Sequence, residues 1–226
     1  ATFHYMGQIV EELPAELLEA LSKYDVTREL IAIFGNYSHY IWSQWNAKNM
    51  VQFSSIMIIV ISSMQFAAEN SKKTIGFYLT RPISRTQGFM GKIAAGLLML
   101  LIIFGSGTDI LWIASLITGH DAEWGRLFVA SLISLAWISV YYLFSCIASI
   151  LCNEPIHAGV ITGVAGLLLS LPGMFSRIRH FSLFYHMRAL EYFMLGQSIL
   201  PTLMLALFLS GIMFMAGLTV FRKRNY

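Results

Sequence analysis

Five long apolar stretches dominate this chain, and they leave few options for its fold. They run Met50–Ala68, Ile93–Thr118, Leu127–Leu151, His157–Met174 and Leu200–Phe221. A bilayer core of about 30 Å is crossed by roughly 20 helical residues. Each run reaches or approaches that length, and none shows the alternation of a half-buried strand. Only 12% of the residues are charged and 57% are hydrophobic, against about 25% charged in soluble domains. A water-soluble chain of this size has too little polar surface to cover itself on those terms. The expected fold is all-α, a polytopic transmembrane helical bundle with five spans.

Charge between the runs sets an expected orientation, because cytoplasmic loops carry excess Lys and Arg. The stretch Glu69–Lys92 holds Lys72, Lys73, Arg81, Arg85 and Lys92, and the tail holds Arg222, Lys223 and Arg224. Both fit the cytoplasmic side. The segment Ala1–Asn49, the Gly119–Arg126 loop and the Phe175–Ile199 loop then lie outside, although Arg177, Arg179 and Arg188 in the last loop run against the charge rule. The domain division expected is an extracytoplasmic segment over residues 1–49 and a transmembrane domain over 50–226. Within the first segment, Pro14 and the residues Ala15–Leu21 read as a short helix with proline in its first turn. An odd number of spans with the start outside means either a start translocated alone or a further helix preceding Ala1, and the second is the expectation.

Catalytic and nucleic-acid classes find little support. The net charge of +3 is spread between the spans rather than gathered in a stripe. Neither H-E-x-x-H nor G-x-S-x-G occurs. The run Gly88-Phe89-Met90-Gly91-Lys92-Ile93 approaches a phosphate loop, but Thr86 stands where the first glycine belongs and Ile93 where Ser or Thr belongs. No ATP site and no cofactor site are expected in this chain. His180 and His186 do not share a helical face, so no metal site is expected. Cys146 and Cys152 read as structural thiols. Asn36-Tyr37-Ser38 is a glycosylation sequon by pattern alone.

Three features remain. In Glu69–Lys92, the residues Ile75, Tyr78, Leu79 and Pro82 fall on one helical face. Pro82 disfavours a helical Arg81, and Ser84 with Gln87 forms a capping box that opens the next helix. The expectation is a short helix, a sharp break and a capped start of the second span. In Phe175–Ile199, Leu183, Met187, Leu190 and Met194 recur at helical spacing among many aromatic residues, as in an amphipathic helix at a membrane interface. Asp109 lies within a span, where an ionisable group is costly and marks either a pathway or a structural polar contact.

The run Glu69-Asn70-Ser71-Lys72-Lys73-Thr74-Ile75-Gly76-Phe77-Tyr78-Leu79-Thr80-Arg81-Pro82-Ile83-Ser84-Arg85, followed by Gly91-Lys92, resembles the first cytoplasmic loop of ABC-2 family ABC transporter permeases. Glu69, Thr74, Leu79, the Arg81–Arg85 pentad and Gly91-Lys92 match that pattern. Ser71, Lys72 and Lys73 replace its usual acidic and glycine residues. The resemblance implies six spans, a basic tail such as Phe221–Arg224, and outer amphipathic helices before the last span. It implies a permease subunit, not itself an enzyme, that exports a substrate and works with ABC ATPase subunits carrying ATP and Mg. A second permease copy or a related permease completes the pathway. The residues of the ATPase-coupling loop under this resemblance are Glu69, Thr74, Ile75, Tyr78, Leu79, Arg81, Pro82, Ser84 and Arg85. The rival classes are a secondary transporter, for which Asp109 and its neighbouring glycines are the only hint, and a membrane-embedded enzyme, which lacks converging catalytic side chains here.

Overall fold

The computed structural model describes residue 33, residues 35–72 and residues 84–224. The short helix expected near Pro14 and the one expected around Ile75–Leu79 lie outside the described residues. The described part is an all-α bundle containing five helices long and apolar enough to cross a membrane. They are α1 (Tyr37–Ser71), α2 (Arg85–Thr118), α3 (Trp124–Leu151), α4 (Pro155–Met174, ending in a 3₁₀ turn) and, after two short helices, α7 (Ile199–Lys223). The short helices are α5 (Leu183–Met187) and α6 (Leu190–Phe193).

The order of burial follows from side-chain size. Helix α3 is the central post, with α1, α2, α4, α5 and α7 all packed on it. Its buried face mixes Ala130, Ser131, Ser134, Ser145, Cys146, Ala148 and Ser149 with large rings. Small residues let helix backbones approach closely where lipid supplies no hydrophobic drive for association. The serine hydroxyls do not need distant partners. Ser134 donates to Ala130 O at 3.0 Å and Ser145 to Tyr141 O at 2.9 Å, within the helix. Helices α2, α4 and α7 expose Ile102, Leu167 and Phe208 on the opposite side, the surface that lipid tails cover.

Helix α1 starts at Tyr37 rather than at Met50, the expected start of the span. Asn36 caps it, its Oδ1 accepting from Ser38 N at 2.8 Å. The residues that follow include Ser43, Gln44, Asn46, Lys48 and Asn49, which hid the helix from a hydropathy reading. Two irregularities mark α1. Trp45–Met50 forms a π-helical turn, and Phe66 (φ −122°, ψ −52°) breaks the helix before Ala67. Such π turns occur where a side chain must be re-aimed. Here Trp45 donates to Thr108 Oγ1 at 2.9 Å and Asn46 to Ser131 Oγ at 3.0 Å. The hydroxyls of Thr108 and Ser131 lie 3.2 Å apart, so α1, α2 and α3 share one buried polar seam.

The expected amphipathic helix over Leu183–Met194 is not continuous. Ala189 takes a left-handed conformation (φ 52°) between α5 and α6, which resets the helical register. Leu183 and Met187 are buried, and Leu190 and Met194 are half-buried against the same core. The four residues pack inward on the bundle but do not form one stripe.

Candidate functional site

The segment that carries the loop motif begins where α1 ends and returns at the start of α2. Thr74, Ile75, Tyr78, Leu79, Arg81 and Pro82 lie outside the described residues. The structure does describe both flanks, and these are cross-tied. Ser84 caps α2 through a full capping box, accepting from Gln87 N at 3.1 Å while Gln87 Oε1 accepts from Ser84 N at 2.9 Å. This is the box expected from the sequence, and it starts α2 at Arg85.

Two turns into α2, Lys92 reaches back to α1. Its Nζ donates to Gln65 O at 2.8 Å and pairs with the Glu69 carboxylate. Gln65 returns a hydrogen bond from Nε2 to Lys92 O at 2.9 Å. The Lys92 side chain is only 13% exposed and that of Glu69 31%, so the pair is shielded from solvent more than a surface ion pair. The ammonium also stands 5.3 Å from the centre of the Phe66 ring, a cation–π geometry.

Gln65 extends the tie to α3. Its Oε1 accepts from the Tyr142 hydroxyl at 2.5 Å, with Cys146 Sγ 3.7 Å away. Tyr142 is fully buried. It fits because Gly96 of α2 faces it, where a Cβ would overlap the hydroxyl. The helix break at Phe66 has a partner as well, since Ala67 N donates to Ser149 Oγ at 3.0 Å. Asn70 then donates to Cys152 O at 2.9 Å. Beneath this layer Phe66, Phe89 and Phe221 meet with ring centroids 5.6–6.0 Å apart, joining α1, α2 and α7. Edge-to-face and tilted ring pairs of this kind stabilise beyond their buried area.

Arg85 has a defined place. Its NH1 donates to Arg222 O at 3.0 Å and Arg224 O at 3.1 Å. It satisfies carbonyls at the end of α7, where cations are favoured. Glu69, Ser84 and Arg85 therefore sit together at one end of the bundle.

Asp109 stands elsewhere, exposed on α2, with no hydrogen bond or ion pair among the described residues. Trp112 lies on the next turn and stacks edge-on with Phe128 at 6.2 Å. At the same end the segment between α4 and α7 is anchored by Phe193, which is buried, stacks on Trp42 at 5.5 Å and carries Arg126 over its ring at 5.2 Å. The Trp42 indole donates to Arg188 O at 2.9 Å. His186 stacks on Trp137 at 4.4 Å and its Nε2 meets His180 O. The His180 ring in turn meets Glu191, Nδ1 to Oε1 at 2.9 Å, and no metal-binding cluster exists among the described residues.

A family model described as ABC-2 family transporter protein matches residues 32–165. The chain belongs to the ABC-2 transporter family. The match spans more than half of the chain and takes in α1, α2 and α3 with the cross-tied loop flanks. No curated protein and no solved structure matches the chain. As an ABC-2 family member it is a multi-pass membrane protein with a permease-type transport role. Sequence reasoning put Glu69 and Gly91-Lys92 in the family motif but missed Gln65, Tyr142 and Phe66. Nothing in a single sequence pairs Gln65 with Tyr142; the only trace is that Gly96 leaves room for a ring.

Proposed function

We propose that this chain is the membrane-spanning subunit of an ABC exporter whose ATPase is a separate chain, and that residues 69–85 receive the ATPase's motion. ATP and Mg belong to that partner. Two permease subunits, identical or related, enclose the substrate path. The residues before α1 are outside and the C-terminus is cytoplasmic, which puts the Glu69–Lys92 layer at the cytoplasmic face.

One observation carries the coupling reading. The two flanks of the loop are held to each other by Lys92, and to α3 through Gln65 and Tyr142. A push on the loop is therefore delivered to the central helix rather than lost in a hinge. Ile75, Tyr78 and Leu79 supply an apolar face for an ATPase groove, and Arg81 supplies charge. Buried aromatic and arginine contacts dominate interface energies.

The test is Tyr78→Ala combined with Arg81→Glu. The tyrosine truncation alone is expected to weaken the interface by about 2 kcal/mol. The double variant inserts into the membrane, since neither residue lies in a span, but loses the ATPase or leaves its hydrolysis unresponsive to the permease. Assembly, hydrolysis and transport equal to wild type would remove the coupling role from these residues.

A further inference from the structure

The exposed side of α7 has a layout that the transport reading does not use. Phe208, Ile212 and Met215 are exposed at 65%, 44% and 60%. Together with Thr219 and the pair Arg222 and Lys223 they follow one helical face, spaced by three or four residues. A cleft of about 300 Å³ opens at the charged end, lined by Thr219, Arg222 and Lys223.

The charge here is uncompensated among the described residues. Arg222 and Lys223 are exposed, and their side chains make no ion pair or hydrogen bond among the described residues. Arg85 adds a third cation, held against the Arg222 and Arg224 carbonyls. Its NH1 covers the helix-end acceptors that would otherwise repel an anion. Thr219 already spends its hydroxyl proton on Met215 O at 2.7 Å, which turns lone pairs outward and leaves anion recognition to the cations. Along the helix the order is apolar side chains, then a cleft, then cations at the level where the bundle leaves the membrane.

We propose that this face binds one anionic phospholipid, with the phosphate in the cleft against Arg222 and Lys223 and an acyl chain along Met215, Ile212 and Phe208. The match is of charge to headgroup and of apolar stripe to tail on a single surface. A basic recess at a helix end is suited to such headgroups. A free phosphate shares the headgroup chemistry but has no use for the stripe.

The experiment measures thermal unfolding of the purified chain in a zwitterionic detergent while phosphatidylglycerol, phosphatidylcholine or inorganic phosphate is added. Phosphatidylglycerol is expected to raise the midpoint saturably, and phosphatidylcholine to leave it unchanged. Arg222→Gln and Lys223→Gln each weaken the apparent lipid affinity about fivefold, while Lys223→Arg retains it. Lys72→Gln makes the same charge change at the end of α1, outside the residues that line the cleft, and keeps the wild-type response. Because the Arg222 and Lys223 side chains are exposed and make no hydrogen bond or ion pair among the described residues, all variants share the lipid-free midpoint. The proposal is overturned if Arg222→Gln responds like wild type, or if Lys72→Gln weakens the response equally. It is also overturned if inorganic phosphate matches the lipid, or if the midpoint tracks protein concentration instead of lipid, which assigns the face to a second copy.

Discussion

Gln65 and Lys92 exchange hydrogen bonds in both directions, Gln65 Nε2 donating to Lys92 O at 2.9 Å and Lys92 Nζ donating to Gln65 O at 2.8 Å. A reciprocal pair fixes orientation as well as distance, so α1 and α2 cannot rotate independently at this level. Glu69 adds its charge to the same ammonium.

Lys92→Met removes the donor and leaves Glu69 and Gln65 O facing an apolar side chain. Loss of hydrogen bonds to a charged group costs roughly 1.5–3 kcal/mol, so the thermal midpoint of the purified protein should fall. Glu69→Gln leaves the Gln65–Lys92 exchange intact and should cost about 1 kcal/mol or less. A larger loss for Glu69→Gln than for Lys92→Met would show that the ion pair, not the backbone tie, holds the flanks.

Gly96→Ala puts a methyl into the Tyr142 hydroxyl. Overpacking of this kind costs roughly 1–3 kcal/mol. Tyr142→Phe removes the hydroxyl and its bond to Gln65, costing about 1 kcal/mol, and relieves the closest of the overlaps, the ring Cζ remaining 2.5 Å from the new methyl. The double variant should therefore be less destabilised than the sum of the two singles. Additive midpoints in the four-protein cycle would mean that the two side chains do not meet.

Asp109→Asn is expected to leave folding, assembly and transport within about twofold of wild type, since the exposed carboxylate has no partner to lose among the described residues. Abolished transport in a normally assembled Asn variant would make Asp109 part of the substrate path.

Orientation is readable by thiol labelling in a Cys152→Ser background, Cys146 being buried. Ser22→Cys should react with an impermeant maleimide on intact cells. Lys73→Cys should react only after permeabilisation. The reverse pattern turns the bundle over and moves the loop to the outer side.

The spans were legible because lipid imposes a length and an apolarity that no other solvent demands. The capping box was legible because Ser84 and Gln87 act within one turn. What escaped was of two kinds. Helix α1 extends back to Tyr37 through polar residues whose partners, Thr108 and Ser131, are supplied by other helices. The outer stretch was misread as one helix because Ala189 carries no sign of its left-handed backbone; glycine would have marked it. Past that reset Phe193, not the expected stripe, becomes the anchor. The roles of Thr74, Ile75, Tyr78, Leu79, Arg81 and Pro82 rest on the motif and await the coupling experiment.

The seam near the outer end has a consequence for descent as well as for stability. Gly107 lies against the Trp45 indole so closely that a methyl there would overlap the ring. The two positions are thus coupled: alanine at 107 displaces the Trp45 ring and strains its bond to Thr108. The easier order of the two substitutions is the ring first and the methyl after.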